Sequence, residues 1–314
     1  MESPRARARR RRRPLLFTAL ALLTVVGGAA AGTVYVKAQA HSGGRPVSSA
    51  SASVSVSVQA GEEASVEPVA QPAVDHDAAL AKAMAPVTVE EGAEVSVAVL
   101  DPESGESATY GSGSFDTASV VKVDILAALL LQAQDAGRQL TATEKSYATA
   151  MIQNSDNASA SQLWRAIGEA AGLDAANERL GLTATEGGDG MLWGLTQTTA
   201  DDQLRLLQQV FGEDSELSEA SRSYLRGLMG EIAVDQQWGV SAVADGSAWA
   251  LKNGWLPRTA TGLWDINSIG RVTVDGRAYL VAVLSGGNST KAKGISLVET
   301  AAGAAVSVFT GPGR

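Results

Sequence analysis

The fourteen residues 120–133 carry only two charges, Lys122 and Asp124, in an otherwise almost wholly apolar run. A helix that is hydrophobic on nearly every side has no face for solvent, so it has to be buried among other elements. Ser119 stands at the mouth of this helix and Lys122 one turn in. Lysine there works against the helix macrodipole, which favours anions at the N-terminus. Apolar surroundings also disfavour the ammonium form. Both penalties make sense where a neutral amine is needed to take a proton from a nearby hydroxyl. The plainer reading is a serine N-cap followed by a lysine that snorkels to solvent. Only one of the seven lysines follows a serine at this spacing.

The chain opens with seven arginines and one acid, Glu2, in its first fourteen residues. Residues 15–36 then run for 22 residues without a charge, long enough to cross a bilayer, which takes about 20. A basic segment before an apolar one is also a secretory signal, and Ala38-Gln39-Ala40 suits cleavage. Residues 1–40 are therefore expected to engage the membrane or export machinery. The length favours a retained signal anchor with its N-terminus inside, and the alternative is secretion after cleavage. Residues 41–76, rich in Ser, Ala, Val and Pro, read as a linker. Residues 77–314 are expected to form the exported domain. Eight of the 25 basic residues and one of the 34 acids precede His41, so the rest has 17 bases against 33 acids, a net of −16. That excess argues against a nucleic-acid partner.

Within the domain, residues 77–85 read as a helix, and 94–100 and 107–111 as strands. The Ser119 helix ends near Gly137. Further helices are expected over 143–153, 158–171, 174–180, 200–211 and 218–232, and strands over 248–252, 263–274 and 278–284. Asp275-Gly276 marks a hairpin between the last two strands. A helix over 293–308 closes the chain. Strands separated by a block of helices predict an α+β fold, with an antiparallel sheet flanked by helices and an inserted helical subdomain near 138–235. The cleft between sheet and subdomain is where a ligand is expected.

Three short motifs fall where that cleft would be lined: Ser119-x-x-Lys122, Ser155-Asp156-Asn157 in a polar break between helices, and Lys252-Asn253-Gly254 at the end of a strand. In this order they resemble the S-x-x-K, S-D-N and K-T-G set of class A β-lactamases and penicillin-binding proteins. Phe115-Asp116-Thr117-Ala118, residues 151–158 and Ser268-Ile269-Gly270 extend the resemblance over roughly 77–308. It implies that Ser119 forms an acyl-enzyme, with Lys122 as a base and Ser155 as a proton relay. Lys252 would supply positive charge, and Asn157 and Asn253 would bind substrate. The oxyanion hole would be formed by the backbone N–H groups of Ser119 and Trp255, with Gly254 giving close access.

The pattern departs in two places. Asn253 stands where the family has threonine. The Glu-x-x-x-Asn segment that carries the family's deacylating glutamate is missing, because the fourth residue after Glu186 is Gly190. Glu186 and Asp189 are the acids left in that glycine-rich stretch, as stand-in bases or as solvated loop acids. Acylation is thus expected to be intact and deacylation weak. The expected substrate is a β-lactam or a related amide. A D-Ala-D-Ala peptidase acting on peptidoglycan peptides and a non-catalytic cell-wall or β-lactam binding module are the alternatives. With two histidines and no cysteine, no metal or cofactor is expected. The chain is expected to act as a monomer.

Overall fold

The structure, a computed structural model, describes residues 74–310. The expected export segment and nearly all of the linker lie outside the described residues. Asp75 caps the first helix, α1 (His76–Met84), accepting from the Ala78 nitrogen at 2.9 Å. Helix α1 thus starts one residue before the expected boundary at 77. His76, expected in the linker, is the first residue of α1 and stacks on Phe309 with ring centroids 5.0 Å apart.

The sheet is built from β1 (Glu94–Leu100), β2 (Ser107–Tyr110), β5 (Trp249–Pro257), β6 (Trp264–Val274) and β7 (Arg277–Asn288). Its order is β2-β1-β7-β6-β5, antiparallel throughout. This is the expected fold class, with strands from both ends of the chain joined where β1 pairs with β7. The last hairpin turns at Asp275 and Gly276, both at positive φ (51° and 77°), as the Asp-Gly pair predicts.

Alternation along β1 assigns the two faces. Val95, Val97 and Val99 pack with Leu80 of α1 and with Leu297, Val298 and Ala301 of α8 (Lys291–Thr310). Ala98 and Leu100 join the opposite core with α2 (Val121–Asp135) and the helical block. That block comprises α3 (Ala142–Gln153), α4 (Asn157–Ile167), α5 (Glu169–Leu180), α6 (Ala200–Phe211) and α7 (Glu219–Met229). A two-strand ribbon, β3 (Phe115–Asp116) with β4 (Gln197–Thr198), links the block to the start of α2.

Helix α4 ends earlier than expected. Gly168 takes a left-handed conformation (φ 100°) and stops the helix, whereas the expected break near Gly172 lies inside α5. Gly172 is needed there for a different reason: a Cβ at that position would lie 1.8 Å from the Ile167 carbonyl oxygen. Two nearby glycines look alike in sequence, yet one supplies a turn and the other a close approach. The longer error is in β5. It runs on to Pro257, so Lys252-Asn253-Gly254 lies mid-strand and Trp255 is not beyond the strand's end.

Candidate active site

Ser119 is positioned by the chain on both sides of it. The Thr117 nitrogen donates to Thr196 O at 2.9 Å, and Asn267 Nδ2 donates to Asp116 O and Thr117 O at 2.9 and 3.0 Å. The next residue, Ala118, sits at φ 47°, a conformation uncommon for a residue with a Cβ. A 3-10 turn, Ala118–Val120, then leads into α2. Neither this turn nor α2 has a side-chain cap, so the reading of Ser119 as an ordinary N-cap fails. Its hydroxyl is half-buried and has no hydrogen-bond partner among the described residues.

Lys122 does not snorkel, being 0 % exposed. Its Nζ donates to Ser155 O (2.7 Å), Ser155 Oγ (3.0 Å) and Asn157 Oδ1 (2.8 Å). Burial pushes its pKa down to about 7, opposed by the charge of Asp156. No hydrogen bond joins Lys122 to Ser119 among the described residues; the amine is held by Ser155 in the loop before α4 and by Asn157 at its start. In that loop Ser155 lies at φ 54°, while Asp156 caps α4 through the Ser159 nitrogen at 2.7 Å. Strain of this kind persists only where the surroundings enforce it, and it concentrates at sites.

Lys252 enters from β5, also 0 % exposed, and donates to the same Ser155 Oγ at 3.1 Å and to Asn253 O at 2.9 Å. Burial, reinforced by the charge of Lys122, drives its pKa well below the usual lysine range. Two amines thus share one hydroxyl, with no carboxylate bonded to either among the described residues. Gly254 brings β5 against the start of α2, where a Cβ would lie 2.7 Å from Thr117 O and 2.8 Å from the Ser119 nitrogen. Asn157 is exposed, and its amide nitrogen has no partner among the described residues.

Three expected site residues lie elsewhere. Asn253 is 0 % exposed, and its amide donates to Gln236 O and Trp238 O at 2.7 and 2.8 Å. Strand alternation sends it to the face opposite Lys252 and Gly254, so its side chain does not reach the cleft. Glu186 and Asp189 are both exposed, and neither carboxylate bonds to the cluster. Glu186 instead pairs through its backbone with Gln197, at 2.9 Å in both directions.

Sequence reasoning missed Trp193. Its ring centroid lies 5.0 Å from Lys122 Nζ, and its Nε1 donates to Ser161 Oγ at 3.2 Å. Beside it opens a cleft of about 620 Å³ lined by Met191, Leu192, Leu195, Leu256, Pro257 and Arg258. A loop tryptophan carries no periodic signal, and only its proximity to a break between helices could have drawn notice.

An antiparallel sheet between helical layers, with a serine at the mouth of a buried helix and two amines on a second serine, defines a serine-hydrolase type of protein. The chain belongs to the β-lactamase enzyme family, whose model, described as "Beta-lactamase enzyme family", matches residues 136–309. That match includes Ser155 and Lys252 and begins after Ser119 and Lys122. No curated protein sequence matches the chain. Among solved structures, the TLA-1 extended-spectrum β-lactamase is 18 % identical, with a TM-score of 0.64 over 74 % of this chain and 98 % of its own. PBP-A is 18 % identical, with TM-score 0.64 over 74 % and 96 %. A class A β-lactamase representative from Bacteroides cellulosilyticus DSM 14838 is 16 % identical, with TM-score 0.63 over 76 % and 99 %. At these identities the likeness is one of fold.

Proposed function

We propose that this protein is an exported active-site-serine hydrolase that is acylated at Ser119 by β-lactams or related amides and releases the acyl group slowly. The observation that carries the reading is the bridging of Lys122 and Lys252 by Ser155 Oγ, at 3.0 and 3.1 Å. Ser119 Oγ attacks the carbonyl carbon and gives its proton to Lys122, whose lowered pKa leaves a lone pair available near neutrality. The negative charge that develops on the carbonyl oxygen is met by the backbone N–H groups of Ser119 and Trp255. The proton passes from Lys122 through Ser155 to the departing nitrogen, and the ester to Ser119 remains. Asn157 holds the substrate's amide through its free NH2. Lys252, fully buried without a carboxylate, gains its counter-ion when the substrate brings one.

Export rests on the basic segment and the uncharged residues 15–36, with the domain held outside the membrane by an anchor or released after cleavage. A penicillin-binding peptidase acting on D-Ala-D-Ala stems is the second reading. It is favoured by the exposure of Glu186 and Asp189, which leaves no loop carboxylate at the cluster. Incubation with a fluorescent penicillin followed by intact mass tests the common core. A single adduct is expected on the wild type and none on Ser119→Ala. Labelling of Ser119→Ala at the wild-type rate would sink the assignment.

A further inference from the structure

The loop 181–196 passes close by Ser119, and what it presents there is an indole. Gly194 lies against Ala118, since a Cβ on it would be 3.9 Å from Ala118 Cα, and Thr196 accepts from Thr117. Between these contacts and the cluster stands Trp193, its ring 5.0 Å from Lys122 Nζ. The ring is held on both sides. Its own Nε1 bonds Ser161, and one residue before Met191 the loop is fastened again where Trp164 Nε1 donates to Gly190 O at 2.7 Å. The underside is tied to two acids: the Gly187 nitrogen donates to half-buried Asp174 at 2.8 Å and the Ala184 nitrogen to buried Asp202 at 2.7 Å.

Hydrolysis of an acyl-Ser119 ester would form a bond from a water oxygen to the acyl carbon and break the bond to Ser119 Oγ. One water proton would then pass to that oxygen. A water able to do this needs a partner to orient it and space beside the ester. In the acyl-enzyme Lys122 has passed its proton on and is again a neutral amine, its Nζ turned to Ser155 O, Ser155 Oγ and Asn157 Oδ1 with the Trp193 ring 5.0 Å away. The indole face beside it offers a water no lone pair to take its proton and leaves it no room next to the amine. The loop's carboxylates, Glu186 and Asp189, are turned to solvent.

We propose that Trp193 is a positioning residue that closes the loop side of the site to water and thereby prolongs the life of the acyl-enzyme. This inference rests on acylation at Ser119, as proposed above. The loop is thus a seal, where a hydrolytic loop would aim a base.

Intact mass after a short benzylpenicillin pulse and a chase compares the wild type with Trp193→Ala and Trp193→Phe. Trp193→Ala should shorten the adduct's half-life on the order of tenfold, because excluding water is what protects a reactive intermediate. Trp193→Phe, which keeps a ring but loses the Ser161 bond, should retain most of the persistence. A purely structural lesion would slow labelling without hastening hydrolysis. An unchanged or longer half-life in Trp193→Ala overturns the inference, as does equal shortening in both variants, which would assign the effect to the Ser161 anchor. Should Trp193→Ala fail to fold by thermal melt, Trp193→Leu is judged by the same outcomes. No adduct on the wild type would overturn the proposed function and this inference with it, whereas a short-lived wild-type adduct overturns this inference and the slow release while leaving acylation at Ser119 standing.

Discussion

Gly254 lies so close to Ser119 that a single added methyl group would sit 2.8 Å from the serine's backbone nitrogen. The contact is backbone to backbone, so no side chain can swing aside to relieve it. Gly254→Ala must therefore move β5 away from the start of α2. A misplacement near 1 Å can cost about 10²-fold in rate. Acylation by penicillin should fall by about that factor, while the thermal midpoint changes little if the shift is confined to the cleft. Stopped-flow labelling together with a melt checks it, and unchanged acylation would mean that this contact does not set the geometry.

Lys122 is held near neutrality by burial, at a pKa of about 7. A base works in its unprotonated form, so the acylation rate should rise with pH through about 7 and level off above it. Lys122→Arg keeps the charge but does not deprotonate in a protein. General-base catalysis contributes about 10²–10⁴-fold, so acylation should drop by a factor in that range and the rise near pH 7 should vanish. A rise that survives in Lys122→Arg would assign it to another group.

Glu186 and Asp189 point to solvent, and Glu186 is used by the fold through its backbone rather than its carboxylate. Glu186→Gln and Asp189→Asn should each leave the lifetime of the penicillin adduct within about twofold of wild type, as a surface change without site contacts should. Pulse-chase mass is the readout. A lifetime lengthened manyfold in either variant would identify that residue as a deacylation base.

Asp124, two residues beyond Lys122, is 1 % exposed, with the Asn177 amide 2.9 and 3.1 Å from its two oxygens. Burial pushes its pKa up to about 8, opposed by the Asn177 bond and aided by the charges of Asp174 and Asp202. Between the unfolded value, about 3.9, and the folded one, the native state keeps a proton that the unfolded chain has lost. This group therefore costs stability progressively as pH rises through that window. The buried amines Lys122 and Lys252 act in the opposite sense, but they are common to wild type and variant. The melting temperature of Asp124→Asn minus that of wild type should grow from about pH 5 to about pH 8 and then level off. A difference independent of pH would show Asp124 to be ionised in the fold.

Much of this protein was legible in one dimension. Ser119-x-x-Lys122 stood out because both residues lie within one helical turn of an apolar run, where a lysine has no ordinary reason to be. The strand pattern and Asp275-Gly276 disclosed an antiparallel sheet because alternation and turn chemistry are local properties. Residue order alone brought Ser155-Asp156-Asn157 and Lys252-Asn253-Gly254 into consideration. Tertiary structure decided what periodicity cannot carry. The extension of β5 to Pro257 turned Asn253 away from the cleft, because alternation along a strand is strict once its register against β6 is set. The division of labour between Gly168 and Gly172 depended on the approach of two helices. Trp193 lies 71 positions from Lys122 in the chain, within a glycine-rich stretch without a repeat. Only the folding of that loop over α2 set an indole against the buried amine, since contacts between such distant residues are determined by how elements pack and not by the propensities of either segment.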